Sequence, residues 1–288
     1  MKTLSIFNNK GGVGKTTTTI NVSAAFALML SHEAGPATDP GRVLVLDMDQ
    51  ATQTSISLSG GFFSFEEKSR GPYDNLAGLL LRATDYSPVE LVVTTSLPTG
   101  ARRNMDFIPS SATKMAKVDR DLGQDPIDGL YRLQEILEPL DGLYRYALID
   151  NPPNLGFGAL NTLVAATDVL VPVQLEGPAI FALTETLHTI RSIQERPNPS
   201  LRLLGILPTM TNFRREEDKG WLAALTKQYG ELVLPSIARR GEVTSAITQG
   251  LDIFSFKPSR QPEALASANL ATQEFAALAM AIRQRLDH

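Results

Sequence analysis

The chain has 288 residues, 43% of them apolar and 20% charged, with a formal net charge of −4. That length buries a large core without staples, and the absence of cysteine excludes disulfides and thiolate metal sites. The acidic balance excludes a uniformly basic nucleic-acid binder, so any DNA contact has to come from a local patch, or from one completed in a dimer.

In chain order, the first predicted element is a strand over residues 3–7. It runs into Asn9-Lys-Gly-Gly-Val-Gly-Lys-Thr-Thr17 and then a proline-free stretch of small and apolar residues that predicts a helix over 16–30. A strand, a glycine-rich turn and a helix make a phosphate cradle. Gly11, Gly12, Val13 and Gly14 let backbone N–H groups curl around phosphates, Lys15 reaches the terminal phosphates, and Thr16, with Thr17 beside it, supplies a hydroxyl for Mg²⁺.

Further strands are predicted at 42–46, 105–109, 146–149, 169–173, 201–207, 232–234 and 253–256. Helices are predicted at 128–138, 179–195, 220–229 and 262–286. Loops are expected at 31–41, with Gly35, Pro36 and Pro40, and at 60–72, with Phe62, Phe63 and Phe65 among charges. Apolar strands alternating with helices predict an α/β fold, a mainly parallel twisted sheet with helices on both faces, in a single domain spanning 1–288. No apolar run reaches about 18 residues, which predicts no membrane span. The chain enters a strand at once with no signal-peptide pattern, so a cytoplasmic location is expected.

Two strands end in carboxylates: Asp47 and Asp49 close one, and Asp150, followed by Asn-Pro-Pro, closes another. A lone strand-end aspartate reads as a turn or a cap. A pair of such strands beside a phosphate loop reads as a Mg²⁺ site, because Mg²⁺ takes hard oxygen ligands, often through water.

The loop departs from the general P-loop pattern, which has glycine where Asn9 stands, and it carries a second lysine, Lys10, at its entrance. In this it resembles the deviant Walker A motif of the ParA/MinD family of partitioning and positioning ATPases. Asp47 and Asp49 resemble that family's second motif, usually Asp-x-Asp-Pro-Gln, although here Gln50 follows Asp49 directly. Asp150-x-Pro-Pro resembles its Walker B form. The resemblance runs from about Met1 to the last helix.

It implies an ATP- and Mg²⁺-dependent ATPase. Lys10 would reach across an ATP-sandwich homodimer to the partner's phosphates. Asp47 and Asp150 would hold the metal through water, and Asp49 would position the attacking water. The adenine would lie against Met210, Asn212 and Pro235. The segment from Val171 to Glu176 resembles the stretch that follows Walker B, with no chemistry assigned to it. The same resemblance implies non-specific, nucleoid-associated DNA binding by the ATP-bound dimer, with Arg239 and Arg240 as first candidates, and slow hydrolysis stimulated by a ParB-like or other cargo-adaptor protein. The other basic pairs, Arg102–Arg103 and Arg214–Arg215, read as solvated charge, and acidic residues follow the latter directly.

Iron–sulfur relatives of this family are excluded by the lack of cysteine. The C-terminal helix is alanine-rich, with Leu270, Phe275, Leu278, Ile282 and Leu286 toward one face, and reads as packing on the sheet rather than on a membrane. His32, His188 and His288 have no metal-ligand spacing. Three rivals remain: a MinD-like membrane-cycling ATPase, a metabolic ligase of the dethiobiotin-synthetase type, and a nucleotide-binding scaffold without turnover.

Overall fold

The computed structural model describes residues 1–33, 41–60, 74–95, 102 and 104–288. Most of the predicted 31–41 and 60–72 loops, with their three phenylalanines, and Arg103 lie outside the described residues. Among the described residues, seven strands form one sheet: β1 (Lys2–Ile6), β2 (Val43–Asp47), β3 (Val93–Thr94), β4 (Met105–Ile108), β5 (Tyr146–Asp150), β6 (Asp168–Gln174) and β7 (Arg202–Thr209). Their order is β3-β4-β2-β5-β1-β6-β7. All neighbours are parallel except β3, which runs antiparallel to β4.

The helices are α1 (Lys15–Glu33), α2 (Gln53–Ser59), α3 (Leu76–Leu80), α4 (Ala112–Leu122), α5 (Arg132–Leu137), α6 (Phe157–Ala165), α7 (Gly177–Glu195), α8 (Glu216–Tyr229), α9 (Gly241–Thr248) and α10 (Pro262–Leu286). The alternation of side chains along each strand divides them between two faces. Val43, Val45, Met105, Phe107, Tyr146 and Leu148 pack with α1 and α10. Leu44, Leu46, Ile108, Ala147 and Ile149 pack with α3, α4 and α5, while Val169, Val171 and Val173 pack with α6, α7 and α8. Burial on both faces is why these strands read as continuous apolar runs. The predicted α/β architecture is the observed one.

Several predicted elements change. Residues 232–234 form no strand: a 3₁₀ turn ends at Leu232, and Val233 makes only an isolated bridge to Ile206. Residues 253–256 form a turn, because Asp252 accepts from the Ser255 N–H at 2.8 Å and Asn21 takes the Ile253 N–H at 2.7 Å. The predicted 128–138 helix breaks into a 3₁₀ turn over Gly129–Tyr131 and the short α5. Gly129 fits there because a Cβ would lie 2.4 Å from the Leu122 carbonyl oxygen.

On α10 the buried face carries Ala271, Phe275, Leu278, Ile282 and Leu286, whereas Leu270 is 47% exposed. Arg102, read as solvated charge, is instead wholly buried. It pairs with buried Asp252 at 2.8 Å and donates to the Ser57 carbonyl at 3.0 Å, tying the end of α2 to the turn after α9. Burial lowers its guanidinium pKa, and the Asp252 charge opposes that shift. Among the described residues, no helix is long and apolar enough to cross a membrane.

Candidate functional site: a phosphate loop facing two buried aspartates

Ligands in open parallel sheets sit at the carboxyl ends of strands, and register brings the charged motifs to one such edge. Asp150 stands beside Ile6, the last residue before the loop, and beside Asp47 on the other flank. Gly12 and Gly14 have φ of +75° and +88°, the left-handed region that a Cβ disfavours. The loop is braced from below. The Asn8 amide donates to the Pro172 carbonyl at 2.7 Å, and its carbonyl accepts the Lys10 N–H at 2.8 Å. Thr209 donates to the Val13 carbonyl at 2.8 Å, and Gln174 donates to that of Gly12 at 3.0 Å.

Lys15 is only 6% exposed. Its ammonium donates to the Lys10 carbonyl at 3.0 Å. Burial lowers its pKa, while the charges of Asp150 and Asp49 hold it up. A cation buried over a ring of backbone N–H groups calls for an anion. The Lys10 side chain is half-buried, and its ammonium makes no hydrogen bond or ion pair among the described residues.

Thr16 donates to Asp150 Oδ2 at 2.7 Å, and Thr54, from the first turn of α2, donates to the same oxygen at 2.7 Å. Asp150 Oδ1 is buried without a partner. Asp47 Oδ2 accepts the Ser55 N–H at 2.7 Å. Burial pushes both carboxyl groups well above the ordinary range, and the Asp150 charge raises Asp47 further. Two desolvated acids, one with a bare oxygen, fit a nearby divalent cation, which would restore their ionised forms. No cluster of three or more acidic or histidine side chains arranged to hold a metal is found among the described residues.

Asp49 is half-buried and accepts the Ala51 N–H at 3.0 Å. With Gln50 directly after Asp49, the chain turns through a bond from the Thr52 N–H to the Asp49 carbonyl at 3.0 Å. Thr52 takes φ +48°, a strained value for a β-branched residue.

Beside the loop lies a cavity of about 480 Å³, walled by Thr17, Met210, Ile237, Val243, Ile247 and Phe275. Met210 lines it, as do Arg239 and Arg240. Asn212 instead lines a small polar cavity next to it, with Gln174 and Asp218, and Pro235 lines neither. Arg240 is paired with Glu274 of α10, whereas the exposed Arg239 side chain has no partner among the described residues. Arg214 and Arg215 are exposed, and Arg215 is paired with Glu217. His32, His188 and His288 are all exposed.

Thr54 and Ser55 lie outside every motif read from the sequence, and Gln174 lies in the Val171–Glu176 stretch, which has no chemistry assigned to it. The Thr/Ser run behind the Asp47–Asp49 motif was the available signal for the first two, but short polar helices carry little periodicity. A second cavity, of about 420 Å³, opens among Asp168, Arg202, Tyr229 and Arg285 at the opposite ends of β6 and β7.

A family profile described as an AAA domain matches residues 1–203. The chromosome partitioning protein ParA of Myxococcus xanthus is 32% identical over 251 residues, covering 84% of this chain and 78% of its own. The sporulation initiation inhibitor protein Soj of Bacillus subtilis is 29% identical, over 89% and 92%. Among solved structures, an ATP complex of Cyanothece McdA shares the fold with a TM-score of 0.75 at 22% identity, covering 100% of this chain and 96% of that one. Cobyrinic acid a,c-diamide synthase from Mycobacterium smegmatis, with bound ADP and magnesium, gives 0.69 at 31%, over 86% and 91%. On the profile match and the ParA likeness together, the chain belongs to the ParA/MinD family of P-loop ATPases.

Proposed function

We propose that the chain is, over its whole length, a ParA-like ATPase that binds ATP with Mg²⁺, pairs with a second copy across the nucleotide, and holds DNA non-specifically while paired. The carrying observation is the buried Lys15 ammonium over the glycine loop, facing an Asp150 whose Oδ1 has no partner. In this reading Lys15 leaves the Lys10 carbonyl for the β- and γ-phosphates, and the N–H groups of residues 11–17 take the phosphate oxygens at the start of α1. Thr16, Asp47 and Asp150 would hold the metal, the acids through water. Mg²⁺, when bound, neutralises charge on the transferring phosphoryl group. Asp49, half-buried at the strand edge, orients the attacking water. The base enters the apolar cavity beside Met210.

The unpartnered Lys10 ammonium suits a role in trans, like an arginine finger supplied by the other subunit. Hydrolysis then waits on pairing, and a cargo-adaptor protein that speeds it sets the lifetime of the DNA-bound state. Arg239 is the better candidate DNA contact, because Glu274 already neutralises Arg240. Each contact is doubled in a dimer, which suits binding driven by counterion release. The relatives named for chromosome partitioning favour plasmid or chromosome segregation, or cargo positioning, at the nucleoid.

The ligase reading draws on the likeness to the diamide synthase. Lys10 together with the Asp47–Asp49 pair favours the partitioning reading. The test is Lys10→Ala. This variant is expected to bind ATP with near wild-type affinity but to stay monomeric in sedimentation velocity with ATP. An intact ATP-dependent dimer would refute the role of Lys10 in trans.

A further inference from the structure

Resting on that ATP–Mg²⁺ reading, we propose that Thr54 is a positioning residue that sets the metal affinity of the site. With Thr16 it fixes one oxygen of Asp150 and leaves the other to the metal's water shell. Thr54 belongs to none of the nucleotide motifs. It sits in the first turn of α2 and is wholly buried.

Its hydroxyl has a single proton, and that proton is committed to Asp150 Oδ2 at 2.7 Å. Thr16 donates to the same oxygen at 2.7 Å. A carboxylate with two donors on Oδ2 cannot turn about its axis without losing both bonds, so Oδ1 stays bare and aimed. Because Thr16 spends its proton on Asp150, its oxygen lone pairs remain available to a cation.

The turn that carries Thr54 is itself held on several sides. The next residue, Ser55, places its N–H on Asp47 Oδ2 at 2.7 Å, so one helical turn grips both strand-end acids. The Ser55 hydroxyl accepts the Ser110 N–H at 3.2 Å. At the far end of α2, the buried Arg102 guanidinium donates to the Ser57 carbonyl at 3.0 Å. Thr54 makes no hydroxyl bond to its own helix backbone, so it does not serve as a cap. Partners that orient a metal's ligands from behind are worth about 10–100-fold in metal affinity.

The test uses Thr54→Val, which keeps the shape and removes the donor, and Thr54→Ser, which keeps the donor. Binding of N-methylanthraniloyl-ATP is followed by fluorescence in EDTA and across a range of Mg²⁺ concentrations. Thr54→Val is expected to raise the Mg²⁺ concentration at half-effect by about 10-fold or more and to leave affinity in EDTA within about twofold. Thr54→Ser should restore the wild-type Mg²⁺ dependence. A merely structural role would lower the melting temperature without moving the ratio of Mg²⁺-bound to Mg²⁺-free affinity. If circular dichroism shows Thr54→Val unfolded, Thr54→Ala is read by the same criterion. Wild-type Mg²⁺ dependence in the folded donor-less variant would overturn the proposal. A wild-type protein that binds the nucleotide with no Mg²⁺ effect, or not at all, would instead overturn the ATP–Mg²⁺ reading beneath it.

Discussion

Replacing Lys15 with alanine is expected to lower ATP affinity by about 100-fold or more, enough to abolish binding at ordinary assay concentrations. Lys15 is 6% exposed, and among the described residues its ammonium donates only to the Lys10 carbonyl, at 3.0 Å, beside the glycine turn. Its burial disfavours the charged form, and Asp150 and Asp49 oppose that shift. Such a group is costly to hold in place and gains most when an anion arrives. Hydrogen bonds to charged groups contribute about 1.5–3 kcal/mol each, and a lysine reaching two phosphates loses both on truncation. Isothermal titration with ATP and Mg²⁺ reads the effect, and circular dichroism checks that the fold survives. Unchanged affinity would remove the phosphate-loop assignment.

A second large effect is expected at Asp49. Asp49→Ala should keep ATP binding and lose turnover by about 10²–10⁴-fold, the range for a positioned group that handles a proton in the transition state. Asp47 and Asp150 are buried and bonded to Ser55 and to two hydroxyls, respectively. Asp49 is the half-buried acid of the three, and its Oδ1 accepts only the Ala51 N–H. It is therefore free to face a water that the other two cannot reach. Because hydrolysis ends the paired state in this account, the variant should accumulate as an ATP-bound dimer. Phosphate release and sedimentation velocity measure the two halves. Wild-type turnover would exclude Asp49 as the water-positioning group.

The central sheet was legible because its strands are buried on both faces. Runs such as Val43–Asp47 and Tyr146–Asp150 have no polar alternation to confuse them. The phosphate loop was legible because its chemistry is local: glycines, a lysine and a hydroxyl within a few residues. The 11-residue α4 carries a helical period, with Met115, Val118 and Leu122 buried, and was legible in the sequence. The other helices that escaped notice, α2, α3, α6 and α9, are short, and α2 is made largely of serine and threonine; their stability comes from tertiary contacts. The same cause hid the buried state of Arg102, since its partner Asp252 lies 150 positions away.

Of the residues that the resemblance sets against the adenine, Met210 lines the apolar cavity, Asn212 follows the turn at Met210, with φ +53°, into the polar cavity beside it, and Pro235 lines neither. A turn of that kind leaves no mark on residue order.

The proposed cycle requires a nucleotide-dependent hold on DNA. The direct measurement is co-sedimentation of the wild-type protein with non-specific duplex DNA at moderate salt, in ATP with Mg²⁺, in ADP with Mg²⁺, and without nucleotide. Pelleting with DNA in ATP alone is the expected result. Equal binding in all three states, or binding in none, would contradict it.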